Sequence, residues 1–366
     1  MFTFEGRERR MSTLSGDNTD QEHSRPVNSA TGEYWQTMKS KSSETDSART
    51  ASSSKFPVTD LREILEETEL SNHEISLITG ISPAYLSAIK RGLIQKAGRE
   101  KLLVLLMVAL NMSLDETNTI LKAYGYEHVD EFDAKLLIDA SLKKTIRGFQ
   151  TIRSNLSLTL LLLSMESLSG KTVLVHRMPE PALIPLEYAI ALGDSDDPIY
   201  TSLMFHVHKK RVELFNESLE KGDHRYYLMC EHCLKQYIQS YKVLIGPKKD
   251  SIIAHLRNTM DVLRKYKDIF KVDLLTSCQR HWFRIKLLPS GSTENDKTVF
   301  VGRSSHLSET ENDLAAIRLF ATDNKKIYNQ FIKELDRLTT NFIVPIDDMP
   351  KYLAELVMEH AGVDLI

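Results

Sequence analysis

Closely spaced helix start and stop signals crowd residues 57–129 and restrict this stretch to short helices. Two of the starts have the spacing of a capping box, in which a serine and a glutamate three residues later bond to each other's backbone. The starts are Ser71 with Glu74, Ser82 with Pro83, and Ser113 with Glu116, and the stops are Gly92 and Gly125. A β-strand or one long helix does not accommodate such a density of signals. The pattern therefore predicts about five helices in roughly 70 residues.

The segment from Asn72 to Gly92 predicts two helices that meet at a steep angle. Ile75 and Ile78 have the spacing of one buried face on the first helix. Gly80 permits the positive φ that a tight turn between helices favours. The second helix then begins at Ser82 and Pro83, and its apolar face returns three residues apart at Leu86 and Ile89. Small side chains remain on its outward surface.

This pattern resembles the lambda-repressor-like, Cro-type helix-turn-helix of the xenobiotic-response-element family of bacterial and phage regulators. The resemblance covers about residues 58–126, five helices. It is carried by Ile75, Ser76, Gly80, Ile81, Ser82, Leu86, Ser87, Ile89, Arg91 and Gly92. In that family the second helix of the pair lies in the major groove, and the helix before it contacts a phosphate with its N-terminus.

The resemblance implies a set of DNA contacts for this chain. Asn72 would lie at a phosphate, the residues from Ser82 to Ser87, with Pro83 and Ala84 among them, would face base edges, and Lys90 with Arg91 would flank the groove. Small side chains give methyl contacts and a few hydroxyl bonds but no bidentate contact to a base. We therefore expect substantial recognition of DNA shape.

The distribution of charge agrees with one DNA-facing edge. Residues 57–129 hold 7 basic and 10 acidic side chains, a net charge of 7 − 10 = −3, which by itself disfavours DNA. The basic residues, however, cluster at Lys90, Arg91, Lys96, Arg99 and Lys101 against one acid, Glu100, whereas most acids lie within residues 60–74. Such polarity fits one face turned toward phosphate, and we include Lys96 and Arg99 among the candidate contacts.

Three regions are predicted. Residues 1–56 contain 11 Ser and 7 Thr with few large aliphatic side chains, which predicts a disordered arm. Residues 57–129 are the helix-turn-helix domain. Residues 130–366 alternate helical stretches with short strand-like runs, which predicts an α+β domain with an antiparallel sheet. The helical stretches are 133–166, 205–221, 231–243, 249–268, 323–339 and 348–361, and the strands are KTVLV, RYYLM, KVDLL, HWFRIKLL, TVFVG and AAIRLF.

The C-terminal region lacks a recognisable catalytic pattern. Cys230 and Cys233 form a Cys-x-x-Cys motif that can chelate zinc or form a redox pair, but Cys278 lies far along the chain, so buried core cysteines are the preferred interpretation. The stretch FHVHKKR at 205–211 is interpreted as a solvated helix start rather than an anion site. The sequence thus assigns no catalytic residue, no metal ligand and no cofactor.

The combined prediction is a sequence-specific DNA-binding transcriptional regulator that is not an enzyme. It would act as a homodimer on a two-fold operator, with a C-terminal domain that assembles the dimer or senses a small-molecule or peptide effector. A cytoplasmic location without membrane insertion is expected, since the apolar runs are short and 3 cysteines do not suggest a disulfide framework. The alternatives are a DNA-targeted enzyme with catalysis in the C-terminal domain, and a protein-interaction adaptor.

Overall fold

A helical half precedes a sheet-containing half in the computed structural model. The structure describes residues 60–143, 146–152, 154–168, 170–189, 197–279, 281–287, 298–303 and 319–365. The predicted arm at 1–56 lies outside these residues. Of the described helices, none has both the length and the apolar character needed to cross a bilayer.

Thirteen helices are described. They are α1 (Leu61–Glu67), α2 (Asn72–Thr79), α3 (Pro83–Lys90), α4 (Arg99–Val104), α5 (Leu114–Ala123), α6 (Asp133–Lys143), α7 (Asn155–Glu166), α8 (Leu186–Ala189), α9 (Pro198–Glu220), α10 (Glu231–Gln239), α11 (Pro247–Lys265), α12 (Lys325–Asn341) and α13 (Met349–Ala361). Helix α4 continues into a π-helical segment, Leu105–Ala109. Both expected capping boxes form, at Ser71 and at Ser113, so α2 and α5 begin where these local signals place them, whereas α4 begins without a side-chain cap.

Eight described strands form one mixed sheet. They are β1 (Phe149–Ile152), β2 (Lys171–His176), β3 (Arg225–Cys230), β4 (Phe270–Leu275), β5 (His281–Leu287), β6 (Val299–Arg303), β7 (Leu319–Thr322) and β8 (Ile343–Val344), in the order β1-β7-β6-β5-β2-β3-β4-β8. Strands β2, β3 and β4 are parallel, and the remaining pairings are antiparallel. The expectation of an antiparallel sheet is therefore wrong for the centre, because helices return the chain between β2, β3 and β4.

Both faces of the sheet are covered. Val173 and Val175 of β2 pack with Phe283 and Ile285 of β5 in a core that includes Leu338 of α12. On the opposite face a second core joins the sheet to α10, α11 and α13, with Leu174, Tyr227, Leu234, Leu256 and Leu353 as members. A helix-rich, layered α and β architecture is therefore confirmed.

One predicted helical stretch is interrupted by a strand. Residues 133–166 were expected to be helical, but β1 separates α6 from α7. Gly148 has φ of 63° and donates its N–H to Asp323 Oδ1 at 2.9 Å, which turns the chain into the pairing of β1 with β7. Ser154 then caps α7. Residues 149–152 form a strand because they pair with β7, some 170 residues away in sequence. Local periodicity carries no information about such a distant partner.

The first five helices share their core with later elements. Leu86 and Leu102 belong to the same buried cluster as Leu156 of α7 and Leu203 and Val207 of α9. All described residues belong to one compact unit. Apolar packing therefore continues across the predicted boundary between residues 129 and 130.

Candidate functional site

Backbone and side-chain hydrogen bonds fix the turn between α2 and α3. Gly80 has φ of 73° and donates its N–H to Ser76 O at 2.8 Å, which closes α2. Thr79 Oγ1 donates to Ile75 O and accepts the N–H of Ile81, at 2.7 and 3.1 Å. Ser82 Oγ then accepts the N–H of Tyr85 and caps α3. The steep entry into α3 is thus determined by the residues of the turn itself.

Gly80 offers a test of this turn. A Cβ at this position would meet nothing within 4 Å, so the cost of a substitution is conformational rather than steric. We expect Gly80→Ala to lower the free energy of unfolding by about 1 kcal/mol in urea titration, since L-residues are strained at this φ. Gly80→Asn should lose less, because asparagine tolerates the left-handed region better. Equal losses for the two variants would contradict the conformational cause.

Most candidate DNA contacts lie in α3, at its cap or in the loop that follows it, whereas Asn72 begins α2 and Arg99 begins α4; they also differ in exposure. Ser82, Pro83, Ala84, Arg91 and Lys96 are exposed, whereas Asn72, Ser87, Lys90 and Arg99 are half-buried. None is enclosed in a core, and Leu86 and Ile89 form the buried face of α3. The small-residue surface and the cations at the end of α3 are therefore accessible to a large partner.

Asn72 is committed to holding the two helices together. Its Nδ2 donates to Ser87 Oγ at 3.0 Å, and its Oδ1 is buried without a hydrogen-bond partner among the described residues. The carboxylate of Glu74 accepts the N–H of Ser71 at 2.7 Å and adds a negative charge at the start of α2. This arrangement favours a positioning role for Asn72, on Ser87, over the phosphate contact that the resemblance implies.

Arg99 is also engaged within the protein. Its two terminal nitrogens bond to Asp133 Oδ1 and Oδ2, both at 2.7 Å, and Nη2 also donates to His128 O. The hydrogen bond to Asp133 raises the pKa of Arg99. The bidentate pair ties the start of α4 to the start of α6, so Arg99 would have to give up a strong ion pair to reach a phosphate.

Two further cations approach the same edge. Lys101 Nζ lies 4.3 Å from the ring centre of Tyr85, a half-buried side chain on α3 that the sequence analysis did not single out. The Arg62 guanidinium lies beside Gly92, where an added Cβ would stand 3.7 Å from Nη1. Arg62 belongs to the acid-rich helix α1, so only the three-dimensional packing of α1 against α3 relates it to this edge.

A buried ionic cluster lies on the face of the sheet that also carries Leu174 and Tyr227. Glu166 and Glu180 contact Arg211, Arg225 and Arg284 with side chains at most 4% exposed. Arg225 Nη2 lies 2.8 Å from Glu166 Oε2, and Arg284 Nη1 lies 3.4 Å from Glu180 Oε2. The interpretation of FHVHKKR as a solvated helix start is therefore wrong for Arg211, and likewise for His208, which is 6% exposed in the middle of α9.

The pKa values of this cluster keep its carboxylates ionised. Burial alone would raise the pKa of Glu166, but Arg225, Arg284 and Arg211 together lower it well below its ordinary value. For Glu180 the attraction of Arg284 and Arg211 likewise outweighs burial and lowers the pKa. Lys286 also lies here, and burial lowers its pKa to about 8. Both carboxylates are paired with arginines, whereas Arg211 Nε and two nitrogens of Arg225, Nε and Nη1, have no hydrogen-bond partner among the described residues. The pairing of both glutamates favours a structural role over proton-transfer chemistry.

The three cysteines of the chain converge at the carboxyl ends of the parallel strands. Cys230 ends β3, Cys233 lies in the first turn of α10, and Cys278 follows β4. Their Sγ atoms all lie within 4.8 Å of one another. The expectation that Cys278 is remote from the Cys-x-x-Cys motif is therefore wrong, because the pairing of β3 with β4 brings the two strand ends together. None of the three is in a disulfide.

A surface cleft of about 320 Å³ lies between α9, α11 and the segment before α8. Its lining mixes apolar side chains such as Leu183 and Val212 with Asn216 and Asn258. A few polar groups on an apolar wall are typical of small-molecule sites. The charged side chains of Lys209, Glu213 and Asp261 also line this cleft.

Comparison with known proteins does not narrow these possibilities. No family model, no curated protein and no solved structure matches the chain. Function must therefore be inferred from the residues themselves.

Proposed function

We propose that the chain is a sequence-specific transcriptional regulator that binds double-stranded DNA by placing α3 in the major groove. Helices α1–α5 would form a lambda-repressor-like domain. The observation that carries the proposal is the exposed surface of α3, where Ser82, Pro83 and Ala84 stand at one end and Lys90 and Arg91 at the other. An α-helix fits the major groove of a duplex, and small side chains allow it to approach the base edges closely.

Cations around this surface would supply most of the affinity. Lys90, Arg91 and Lys96 are joined by Lys101 and Arg62, whose positions beside Tyr85 and Gly92 follow from helix packing. We exclude Arg99 because its bidentate pair with Asp133 already satisfies it. Phosphate neutralisation releases counterions, so binding of this kind weakens steeply as salt increases.

A homodimer on a two-fold operator completes the proposal. Each α3 offers few hydroxyl and methyl contacts, so one copy would distinguish sites weakly, and two copies would repeat the contacts on two half-sites. The sheet-containing half would set the distance between the two α3 helices. A small effector in the cleft beside α9 would change the distance between the two α3 helices. The protein would act in the cytoplasm.

The test is a titration of the full-length chain with random-sequence duplexes over a series of salt concentrations. We expect the double variant Lys90→Ala, Arg91→Ala to bind roughly 10- to 100-fold more weakly at low salt, with a log-affinity slope shallower by about one per lost phosphate contact. The matched control is Lys325→Ala with Lys326→Ala, which removes the same charge from the exposed start of α12. Equal losses in the two double variants would contradict the assignment of α3.

A protein-binding adaptor is the second candidate. Leu93 is 68% exposed in the segment after α3, and Leu77 is 40% exposed two residues before the end of α2. As parts of one contiguous apolar patch, they would mark a surface that binds another protein. This reading predicts that wild-type protein shows no salt-dependent affinity for duplex DNA in the same titration.

A further inference from the structure

The cysteine cluster draws its three side chains from two successive strand ends of the parallel part of the sheet. Cys230 and Cys233 belong to the connection from β3 to α10, and Cys278 belongs to the connection from β4 to β5. In sheets with parallel strands, binding sites form at the carboxyl ends of those strands. The cluster occupies this edge, and it contains every cysteine of the chain.

The separations of the sulfur atoms suit a single soft metal ion. Cys230 Sγ lies 2.9 Å and Cys233 Sγ lies 3.5 Å from Cys278 Sγ, and no pair exceeds 4.8 Å. Zinc–sulfur bonds of about 2.3 Å in a tetrahedral site place two sulfurs about 3.8 Å apart, within this range. An iron–sulfur cluster distributes its thiolates over several iron atoms, so its sulfurs stand further apart.

One cysteine of the cluster occupies a position that stabilises an anion. Cys230 occupies the N-cap of α10, where the positive end of the helix dipole stabilises an anion. Metal binding displaces the thiol protons of its cysteine ligands.

A cleft of about 10 Å³, roughly the space of one water molecule, adjoins the cluster. His176, Arg177, Gln279 and Trp282 line a narrow cleft that also includes Cys230 and Cys233. Three thiolates and one divalent ion carry a net charge of −1, which the neighbouring cation of Arg177 offsets. Zinc sites that keep three protein ligands and an exogenous fourth ligand are open sites, in contrast to closed structural sites with four.

We propose that Cys230, Cys233 and Cys278 bind one Zn²⁺ ion whose fourth position opens into the cleft lined by His176 and Arg177. The fourth ligand is water, which the volume of this cleft admits. Bound zinc links the end of β3 to the segment after β4. The site is independent of the DNA-binding proposal, since it shares no residue with α3.

The test uses the full-length chain, reduced with a phosphine and kept free of oxygen. We expect titration with Zn²⁺ against a chromophoric chelator to give one ion per chain with a Kd of roughly 10 nM or tighter. Co²⁺ in place of zinc should give thiolate-to-metal charge-transfer absorption together with the visible bands of a tetrahedral ion.

Variants identify the ligands. Cys278→Ser should weaken zinc binding on the order of 100-fold or more and reduce the charge-transfer absorption by about a third, since one of three thiolates is gone. His232→Ala is the matched control, because this exposed side chain lies between the two motif cysteines and should leave both readouts unchanged. The wild-type cobalt spectrum does not depend on whether the variant folds.

Three results would overturn the proposal. The first is wild-type protein that binds no zinc under reducing conditions, and the second is Cys278→Ser with wild-type affinity. The third is recovery of Cys230 and Cys278 as a disulfide that persists in the presence of reductant and zinc.

Discussion

Glu166→Gln should reduce the free energy of unfolding by about 3–5 kcal/mol, the range found when one partner of a buried ion pair is removed. Glu166 accepts from Arg225 and Arg284 and lies 3.8 Å from Arg211 Nε. Glutamine keeps the shape and removes the charge. The three guanidinium groups would then share one carboxylate, Glu180, in a region without solvent. Urea titration at neutral pH, followed by circular dichroism, measures the change.

An exposed pair of similar geometry provides the control. Arg337 bonds to both carboxylate oxygens of Glu334 at 2.7 and 2.8 Å on the surface of α12. Glu334→Gln removes the same charge where water replaces the lost partner, so its unfolding midpoint should stay close to that of the wild type. If Glu166→Gln and Glu334→Gln were equally stable, the buried cluster would not contribute as we infer.

Acid should destabilise the fold between pH 6.5 and about 4, through two buried histidines. Burial lowers the pKa of His208 and of His255 from the ordinary 6.5 to about 4. His208 Nε2 contacts Ile184 O, and His255 contacts Tyr237 Oη and Glu180 O. The charge of Glu180 acts on both rings, and the charge of Arg211 acts on His208. The native state therefore keeps both rings neutral over a range in which the unfolded chain protonates them.

The sign of the effect follows from the lowered pKa. Stability from neutral histidine is complete above pH 6.5 and is lost as the pH falls toward 4, because protons bind the unfolded state first. At pH 5 the loss is about 2 kcal/mol for each histidine. The buried glutamates add to this loss only near and below 4.5, the ordinary pKa of a glutamate. Urea titrations from pH 8 to pH 5 measure the slope.

Two variants on α9 separate the buried group from the solvent-exposed one. His208→Gln should reduce the slope by about one proton, roughly 1.4 kcal/mol per pH unit. His206→Gln is the control, because its side chain is exposed and lies two residues away on the same helix. An unchanged slope in His208→Gln would show that this ring does not titrate as we expect.

Local signals predict the α2–α3 pair well, because its determinants lie within twenty residues. The cap at Ser71, the left-handed Gly80 and the cap at Ser82 each act on the adjacent backbone. Such interactions need no distant partner, so the sequence records them directly. The exposure of Ala84 follows from the same helical periodicity that buries Leu86 and Ile89.

The ionic cluster could not be predicted in this way. In β5, Arg284 and Lys286 alternate with Phe283 and Ile285, which correctly indicates a strand but suggests a polar face turned to water. The structure buries Arg284 and Lys286 instead. Their partner Glu166 is more than a hundred residues away in sequence, and a period-two pattern carries no information about which side chains cover a face.

The cysteine cluster was missed for a related reason. The spacing of Cys230 and Cys233 is a local signal, but the third sulfur depends on the parallel pairing of β3 with β4. The strand-like runs predicted an antiparallel sheet, in which the carboxyl ends of two neighbouring strands lie at opposite ends of the pair. A prediction of sheet topology was therefore required before Cys278 could be recognised as a neighbour.

Helix α9 links the helical core to the core beside the sheet. Its 23 residues span about 35 Å. Leu203 and Val207 belong to the core that residues of α2 and α3 also enter, Arg211 pairs with Glu180 one turn further on, and Phe215 and Leu219 belong to the core beside the sheet. Because one helix is packed into both cores, we expect a tilt at its sheet end to reach the core that it shares with α2 and α3.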